Sequence, residues 1–310
     1  MDEVEGHPGR GPDEILEPLH ESGERTQLHD AEMGLGARGH RLDASPGGTQ
    51  EQELLDYLRC MPTPILVEAC VDSIESALAA ARGGAHRLEL CANLIEGGTT
   101  PSAGTLAVCR ARLDIPIFVL IRPRGGDFLY SAAELAVMLE DIRRAKQAGA
   151  QGVVTGVLRA DREIDADRTG ELIAAARPLH VTFHRAFDVC RDASRALETL
   201  VALGVERVLS SGQAATAPEG ADTIARLVRQ AAGRIGVLPG GGVTPDNAAA
   251  LVRTTGVTEV HLTGAGVQRS GMTFRAPTVE LGNVAPSNAY DWNVTEAEQI
   301  RRVVGMTAPG

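Results

Sequence analysis

Residues 65–91 read ILVEACVDSIESALAAARGGAHRLELC, and this stretch contains one complete unit of the pattern that decides the fold. An apolar run at 65–71 is followed by a polar break, an alanine-rich segment, a Gly-Gly stop and a second apolar run at 87–91. Short runs of Val, Ile and Leu are typical of buried strands, and helices commonly end at glycine. The stretch therefore predicts a strand, a helix and a second strand.

The same unit recurs along the rest of the chain. Helix starts are marked by Ser131 with Glu134 and by Thr295 with Glu298, each with the spacing of a capping box. Eight alternating units predict an α/β fold with a single (β/α)8 TIM-type barrel, and an open doubly wound sheet is the alternative. The predicted strands lie at residues 65–71, 87–91, 116–122, 152–158, 180–184, 207–210, 235–238 and 258–262.

Composition limits the classes of function. The chain has 310 residues, of which 43% are hydrophobic, and this is enough for a sizeable core. Residues 1–60 hold 14 acidic against 5 basic side chains, so most of the net charge of −11 lies there. We predict an acidic, disordered extension at 1–60 and the barrel domain at 61–310. The chain has no basic surface pattern, long apolar run or leader-like start, so we expect a cytoplasmic protein that binds neither nucleic acid nor membrane.

Polar side chains occupy inward positions near the ends of several predicted strands. Strand side chains alternate between the barrel interior and the helix layer. Active sites of this fold lie at the carboxyl ends of the strands. The residues predicted at this mouth are Glu68, Cys70, Glu89, Cys91, Arg122, His184 and His261.

Cys70 and Cys91 are the predicted metal ligands. Five cysteines in a long chain with no leader indicate reduced thiols, and thiolates are soft ligands that suit Cu(I). No histidine pair has the spacing of zinc ligands, which favours Cu(I) over Zn(II). Neighbouring strands contribute to alternate layers, so the pattern leaves open whether the sulfurs lie side by side or only pack as buried thiols.

Glu68, Glu89, Arg122 and His184 form the predicted catalytic set. Two carboxylates in a confined mouth push one pKa upward, which produces an acid and base pair. An arginine between them can hold a carboxylate or phosphate, and a histidine at a strand end can move protons. The alternative is an internal ion-pair network that fixes the strand register.

Two glycine-containing loops are candidates for an anion site. Ser211 and Gly212 follow the sixth strand, and Gly240, Gly241 and Gly242 follow the seventh. Exposed backbone amides in such loops bind phosphate in barrels of this kind. The alternative is that these glycines only permit tight turns.

Several longer motifs resemble a known family in order and spacing, namely EACVDS at 68–73, RLELC at 87–91, EGGTTPS at 96–102, IRPRGGDF at 121–128, TFHRAFD at 182–188 and LPGGGV at 238–243. They are similar to the CutC copper-homeostasis family over residues 64–305. The resemblance implies one barrel domain, a cytoplasmic location, a homodimer and a role with copper. Two functions stay open: a copper-homeostasis protein that binds Cu(I), and a barrel enzyme that acts on a small phosphorylated or carboxylated metabolite by acid/base chemistry.

Overall fold

The computed structural model describes residues 65–276, residue 278 and residues 290–306. The predicted disordered extension at 1–60 lies outside the described residues, as do the first four residues of the predicted barrel domain. No helix in the described ranges is both long enough and apolar enough to cross a bilayer.

Eight parallel strands form the centre of the described part of the chain: β1 (Leu66–Val71), β2 (Arg87–Leu90), β3 (Ile117–Leu120), β4 (Gly152–Thr155), β5 (His180–Phe183), β6 (Arg207–Ser210), β7 (Gly236–Pro239) and β8 (Glu259–Leu262). Strands are hydrogen-bonded in the order β7-β6-β5-β4-β3-β2-β1-β8, and β7 lies beside β8. The sheet therefore curves into a barrel, which confirms the predicted (β/α)8 TIM-type fold over the open sheet.

A helix follows each strand in the described ranges: α1 (Ile74–Arg82), α2 (Ala103–Arg112), α3 (Ala132–Gln147), α4 (Ala166–Ala176), α5 (Ala193–Ala202), α6 (Ala221–Ala231), α7 (Ala248–Thr255) and α8 (Ala297–Val304). Short 3₁₀ segments lie at Leu94–Glu96 and Arg185–Val189. An antiparallel hairpin, β9 (Ala265–Arg269) with β10 (Asp291–Thr295), separates β8 from α8. The alternation predicted from the sequence is thus complete.

The two predicted capping boxes have different outcomes. The Ser131 hydroxyl accepts from the Glu134 N–H at 3.2 Å and the Glu134 carboxylate accepts from the Ser131 N–H at 2.6 Å, which confirms the first. The second is wrong, because Thr295 is the last residue of β10 and its hydroxyl donates to the Thr263 carbonyl at 2.9 Å. Thr295 therefore belongs to the hairpin, although the sequence around it has the pattern of a helix cap.

The strands separate two layers of buried side chains. Val67, Ala69, Leu88 and Leu90 belong to the large apolar layer between the strands and the helices. Inside the barrel the side chains are more polar, and the strand register fixes which of them meet. The interior pairs in direct register are Glu68 with Arg87, Cys70 with Glu89, and Glu68 with His261.

An aromatic ring and two arginines fill the amino-terminal end of the barrel. The Phe118 ring lies between the guanidinium groups of Arg87 and Arg207, whose carbons are 4.9 and 5.4 Å from its centroid. Both arginines also bind Glu259, at 2.8 and 3.0 Å. Gly152 leaves room for this ring, since a Cβ there would lie 2.6–2.7 Å from three of its carbons. The barrel is therefore closed at the amino-terminal end of its strands and can open only at the carboxyl end.

Candidate functional site

An open cavity of about 770 Å³ lies at the carboxyl ends of the strands. Its volume is within the range of small-molecule sites, about 300–1,000 Å³. The predicted site residues that line it are Cys70, Glu89, Cys91, Arg122, His184, Gly241, Gly242 and His261. Those that lie outside its wall are Glu68, Ser211, Gly212 and Gly240.

The two mouth cysteines lie side by side. Cys70 is in β1 and Cys91 is the first residue after β2, where its N–H donates to the Val71 carbonyl at 2.8 Å. Their sulfurs are 3.8 Å apart and both side chains are buried. The arrangement that the sequence left open is therefore the adjacent one, and the stagger between strand layers does not separate the sulfurs.

Both mouth thiols hold their protons at neutral pH. The hydrogen bond with Cys91, together with burial, raises the pKa of Cys70 well above its ordinary value. Burial and the nearby charges of Glu89 and Asp72 raise the pKa of Cys91 to about 11. Each thiol must therefore lose a proton to the solvent or to a neighbouring base before it can bind a metal as thiolate.

Glu68 is the centre of a buried ion-pair chain beneath the cavity. Its carboxylate binds the Arg87 guanidinium through one oxygen, and the other oxygen lies 2.8 Å from His261 Nδ1. Burial by itself would raise the pKa of Glu68, but the His261 hydrogen bond and the charges of Arg87 and His261 lower it to about 2. Glu68 is thus a permanent carboxylate that orients its neighbours.

Glu89 and His261 are the titratable pair that faces the cavity. His261 Nε2 lies 3.5 Å from a Glu89 oxygen. Burial raises the pKa of Glu89, whereas hydrogen bonds with Cys70 and Glu68 raise the pKa of His261 well above its ordinary value despite its burial. These two side chains lie beside the thiols and can exchange a proton there.

Arg122 lines the same cavity as Glu89, but Arg87 and not Arg122 is the arginine that contacts Glu68. Arg122 instead donates to the backbone carbonyls of Glu96 and Gly98 at 2.9 and 2.6 Å, and to that of Gly126 at 2.9 Å. No carboxylate of the described residues lies within ion-pair distance of it, although its side chain is only 5% exposed. The cavity wall therefore contains a buried positive charge that forms no ion pair with the carboxylates the structure describes.

His184 stands beside this charge as a neutral ring. Its Nδ1 accepts from the Ala186 N–H at 3.2 Å, and its ring centroid lies 4.8 Å from that of Phe128. Burial and the charge of Arg122 lower the pKa of His184 to about 3. Because Nδ1 is an acceptor, the proton of the neutral ring is on Nε2, which has no acceptor among the described residues.

The loop after β6 already holds an internal anion. The Asp188 carboxylate accepts from the Ser210 hydroxyl at 2.6 Å and from the Ser211 N–H at 2.9 Å, while the Gly212 N–H donates to the Ser210 hydroxyl at 2.8 Å. Asp188 also pairs with Arg185 at 2.7 Å and accepts from the Ser211 hydroxyl at 3.0 Å. Ser211 and Gly212 thus have partners inside the protein, and their predicted role with an external anion has no direct support from this geometry.

The loop after β7 is more open. The Gly240 N–H donates to Ser210 O at 3.0 Å, but within the described residues no acceptor pairs with the N–H of Gly241 or Gly242. Both of these glycines have left-handed φ angles, +96° and +71°, which place their amides on the cavity wall. The Arg185 guanidinium lies against Gly241, since a Cβ there would be 3.1 Å from it. This loop is therefore the better candidate of the two for an anion.

Residues 65–266 match the CutC family, a range that contains all eight barrel strands. This chain belongs to the CutC family. The human copper homeostasis protein cutC homolog is 51% identical over 236 residues, which cover 76% of this chain and 86% of that protein. A CutC family protein of Chromobacterium violaceum is 49% identical over 236 residues, which cover 76% of this chain and 95% of that protein.

Similarity to CutC proteins extends to the three-dimensional structure. The crystal structure of CutC from Streptococcus agalactiae has a TM-score of 0.62 and 37% identity, and the match covers 64% of this chain and 98% of that one. The resemblance predicted from the sequence motifs is therefore confirmed. Cys70, Cys91, His184 and His261 all lie in the part of the chain that matches the CutC family.

Proposed function

We propose that this CutC protein acts in copper homeostasis by binding Cu(I) through Cys70 and Cys91. The observation that carries the proposal is the 3.8 Å separation of the two sulfurs at the base of an open cavity. With metal–sulfur bonds of about 2.3 Å, two sulfurs reach one ion at any separation up to about 4.6 Å. The names of the curated relatives support the same metal.

The chemistry of the pair suits a soft monovalent ion. Two thiolates are preferred ligands of Cu(I), and a Cu(I) ion that replaces two thiol protons leaves the buried site with a small net charge. Because both thiols have raised pKa values, binding releases protons and weakens as the pH falls. In this proposal Cu(I) is the cargo of the protein.

The test is an anaerobic competition titration of the full chain against a chromogenic Cu(I) chelator. We expect Cys70→Ser and Cys91→Ser each to weaken binding by more than the roughly tenfold that loss of an outer-shell partner costs. The matched control is Cys190→Ser, because that buried thiol only donates to the Phe187 carbonyl at 2.8 Å. Wild-type affinity in both mouth variants contradicts the proposal.

A second candidate function is an enzyme that acts on a small phosphorylated or carboxylated metabolite. The observation in its favour is the buried charge of Arg122 on the wall of a cavity large enough for such a molecule. A buried charge without a partner is unfavourable, so an oxyanion of the ligand would stabilise the site. Glu89 and His261 would then supply the acid and the base beside it.

The oligomeric state and the cellular location stay predictions. The homodimer implied by the family resemblance is supported by exposed apolar side chains around the β9–β10 hairpin, among them Val267, Phe274 and Trp292. Exposed apolar groups of this kind often mark contact surfaces. Light scattering coupled to size-exclusion chromatography measures the mass directly, and a mass of one chain contradicts the dimer.

A further inference from the structure

Two buried donor groups on one wall of the cavity have no acceptor. Arg122 Nε and His184 Nε2 are shielded from solvent, and neither forms a hydrogen bond within the described residues. Both residues line the cavity, and each is only 5% exposed. The Phe128 ring adjoins both, with its centroid 5.2 Å from the Arg122 guanidinium carbon and 4.8 Å from the His184 ring centroid. Buried donors are costly until a ligand satisfies them, so this part of the wall suits an anion.

Three successive backbone N–H groups after β7 also lack an acceptor. Those of Gly241, Gly242 and Val243 form no hydrogen bond within the described ranges, and all three residues line the cavity. The Gly241 carbonyl accepts from the Ala217 N–H and the Gly242 carbonyl from Asn247 Nδ2, both at 2.8 Å, and neither donor residue lines the cavity. In a trans peptide the N–H is directed opposite to the carbonyl, so the N–H groups of Gly242 and Val243 are directed away from these partners. Runs of such amides form anion-binding concavities.

Arg185 adds a positive charge to this run of amides. Its Nε pairs with Asp188 at 2.7 Å and its Nη2 donates to the Ser211 hydroxyl at 2.9 Å, which fixes the guanidinium group. Nη1 has no acceptor in the described part of the chain, and a Cβ on Gly241 would lie 3.1 Å from it. The Arg185 side chain is 43% exposed, so solvent screens its charge more than that of Arg122.

The two groups of donors lie on opposite walls. The strand order places β3 and β7 four positions apart in a closed ring of eight. Arg122 and Gly241 are each two residues beyond the end of their strand, and both line the mouth. A single small oxyanion satisfies one wall and leaves the donors of the opposite wall without a partner.

We infer that the cavity takes a metabolite with an oxyanion group at each end, one held by Arg122 and His184 and the other by the amides of residues 241–243 with Arg185. This inference rests on the second candidate function and narrows its substrate class to molecules that carry two phosphate or carboxylate groups. Two linked anions bind more tightly than one, because the second contact becomes intramolecular once the first has formed. The gain depends on the length of the ligand, since both ends must reach their walls at once.

The experiment is a calorimetric titration of the full chain, at constant ionic strength, with unbranched dicarboxylates from malonate to suberate. A second series carries a phosphonate at one end, which mimics a phosphate in place of one carboxylate. We expect the affinity to pass through a maximum at one chain length, where it exceeds that of the monocarboxylate of the same length at least about tenfold. A maximum in either series supports the inference, and its absence from both overturns it.

Substitutions on each wall test which groups hold the two ends. Arg122→Gln and Arg185→Gln should each flatten the maximum, because each leaves the ligand firmly attached at one end only. Arg185→Lys keeps the charge and should retain a maximum, and Arg112→Ala, at the exposed end of α2, should bind both series as wild type does. A maximum of wild-type height in both Arg122→Gln and Arg185→Gln overturns the inference.

The outcomes also separate this inference from the function on which it rests. If phosphate and monocarboxylates bind through Arg122 but neither series shows a length maximum, the anion site stands and only the two-ended ligand is wrong. If none of these anions binds, the second candidate function loses its support as well. Cu(I) binding by Cys70 and Cys91 is independent of both results.

Discussion

His261 Nδ1 lies 2.8 Å from Glu68 Oε1, across the seam at which β8 pairs with β1. The two residues are 193 positions apart, so their contact depends on closure of the barrel. The same carboxylate binds Arg87 from β2, and three strands are thereby joined by one buried side chain. Stability and the orientation of the mouth histidine are consequently controlled by the same group.

Glu68→Gln should destabilise the fold strongly. Glutamine removes the buried anion that Arg87 and His261 share, and loss of one partner of a buried pair costs about 3–5 kcal/mol. The pKa of Glu68 is lowered to about 2, so its stabilisation is complete above the unfolded value and disappears as the pH falls through the acid range toward 2. Urea unfolding at neutral pH and near pH 3 should show a smaller difference between variant and wild type at the lower pH.

The control for this prediction is Glu140→Gln. Glu140 also pairs with arginines and its pKa is also about 2, but the pair is on the surface of α3. Solvent screens such a pair, so the unfolding midpoint should barely move. Equal destabilisation by the two substitutions would contradict the role assigned to burial of Glu68.

The fold was predictable from its eight strand-helix units, and the inward-facing residues were predictable because side chains alternate along each strand. Glu68, Cys70, Glu89 and His261 were all placed inside the barrel on this basis. Alternation does not specify the lateral alignment of neighbouring strands, which puts Glu68 opposite Arg87 and His261. Without that register, the sequence could not reveal that Glu68 binds both Arg87 and His261.

Loop partners were not predictable for a different reason. Arg122 binds three carbonyl groups, and Asp188 accepts hydrogen bonds from the N–H groups of Ser211 and Gln213. Every residue carries a carbonyl, and every residue except proline carries an N–H, so no pattern of residue types distinguishes these partners. The sequence singled out the arginine and the glycine loops, but what each one binds depends on the loop conformation.

His184→Gln should make the fold less sensitive to mild acid. The pKa of His184 is about 3 in the folded protein, so between about pH 6.5 and 3 the unfolded chain takes up a proton that the folded chain does not. Wild-type stability must therefore fall as the pH drops through this window, by about 2 kcal/mol between pH 7 and 5 for this group. Denaturant unfolding at these two pH values measures the difference.

An exposed histidine provides the comparison for His184. The side chain of His180 is 60% exposed, so His180→Gln should retain the wild-type loss of stability between pH 7 and 5. If His184→Gln loses as much stability as wild type over the same interval, then the ring does not stay neutral in the folded protein.

Gly152→Ala should disturb the closed end of the barrel. The added Cβ would lie 2.6 Å from carbons of the Phe118 ring, and overpacking of a core of this kind costs about 1–3 kcal/mol. Gly104→Ala is the matched control, because this exposed α2 glycine has only a hydroxyl at 3.7 Å and alanine favours helix by about 0.5–1 kcal/mol. Thermal unfolding should therefore shift in opposite directions, and a Gly152→Ala protein as stable as wild type would show that the ring can move aside.

The last prediction concerns the unbalanced charge of Arg122. An oxyanion that binds in the mouth stabilises the folded chain by RT ln(1 + [L]/Kd), so inorganic phosphate or citrate should raise the melting temperature of the wild-type protein. Arg122→Gln lowers the starting stability, since three carbonyl partners are lost, but the informative quantity is the shift that the anion adds. That shift should vanish in Arg122→Gln, shrink in Arg185→Gln and persist in Arg112→Ala at the exposed end of α2. A shift of the same size in all four proteins would indicate a general salt effect. If phosphate, sulfate and citrate all leave the melting temperature unchanged, the main support for an anionic metabolite is lost. A buried guanidinium that attracts none of these anions is adequately stabilised by its carbonyl partners alone.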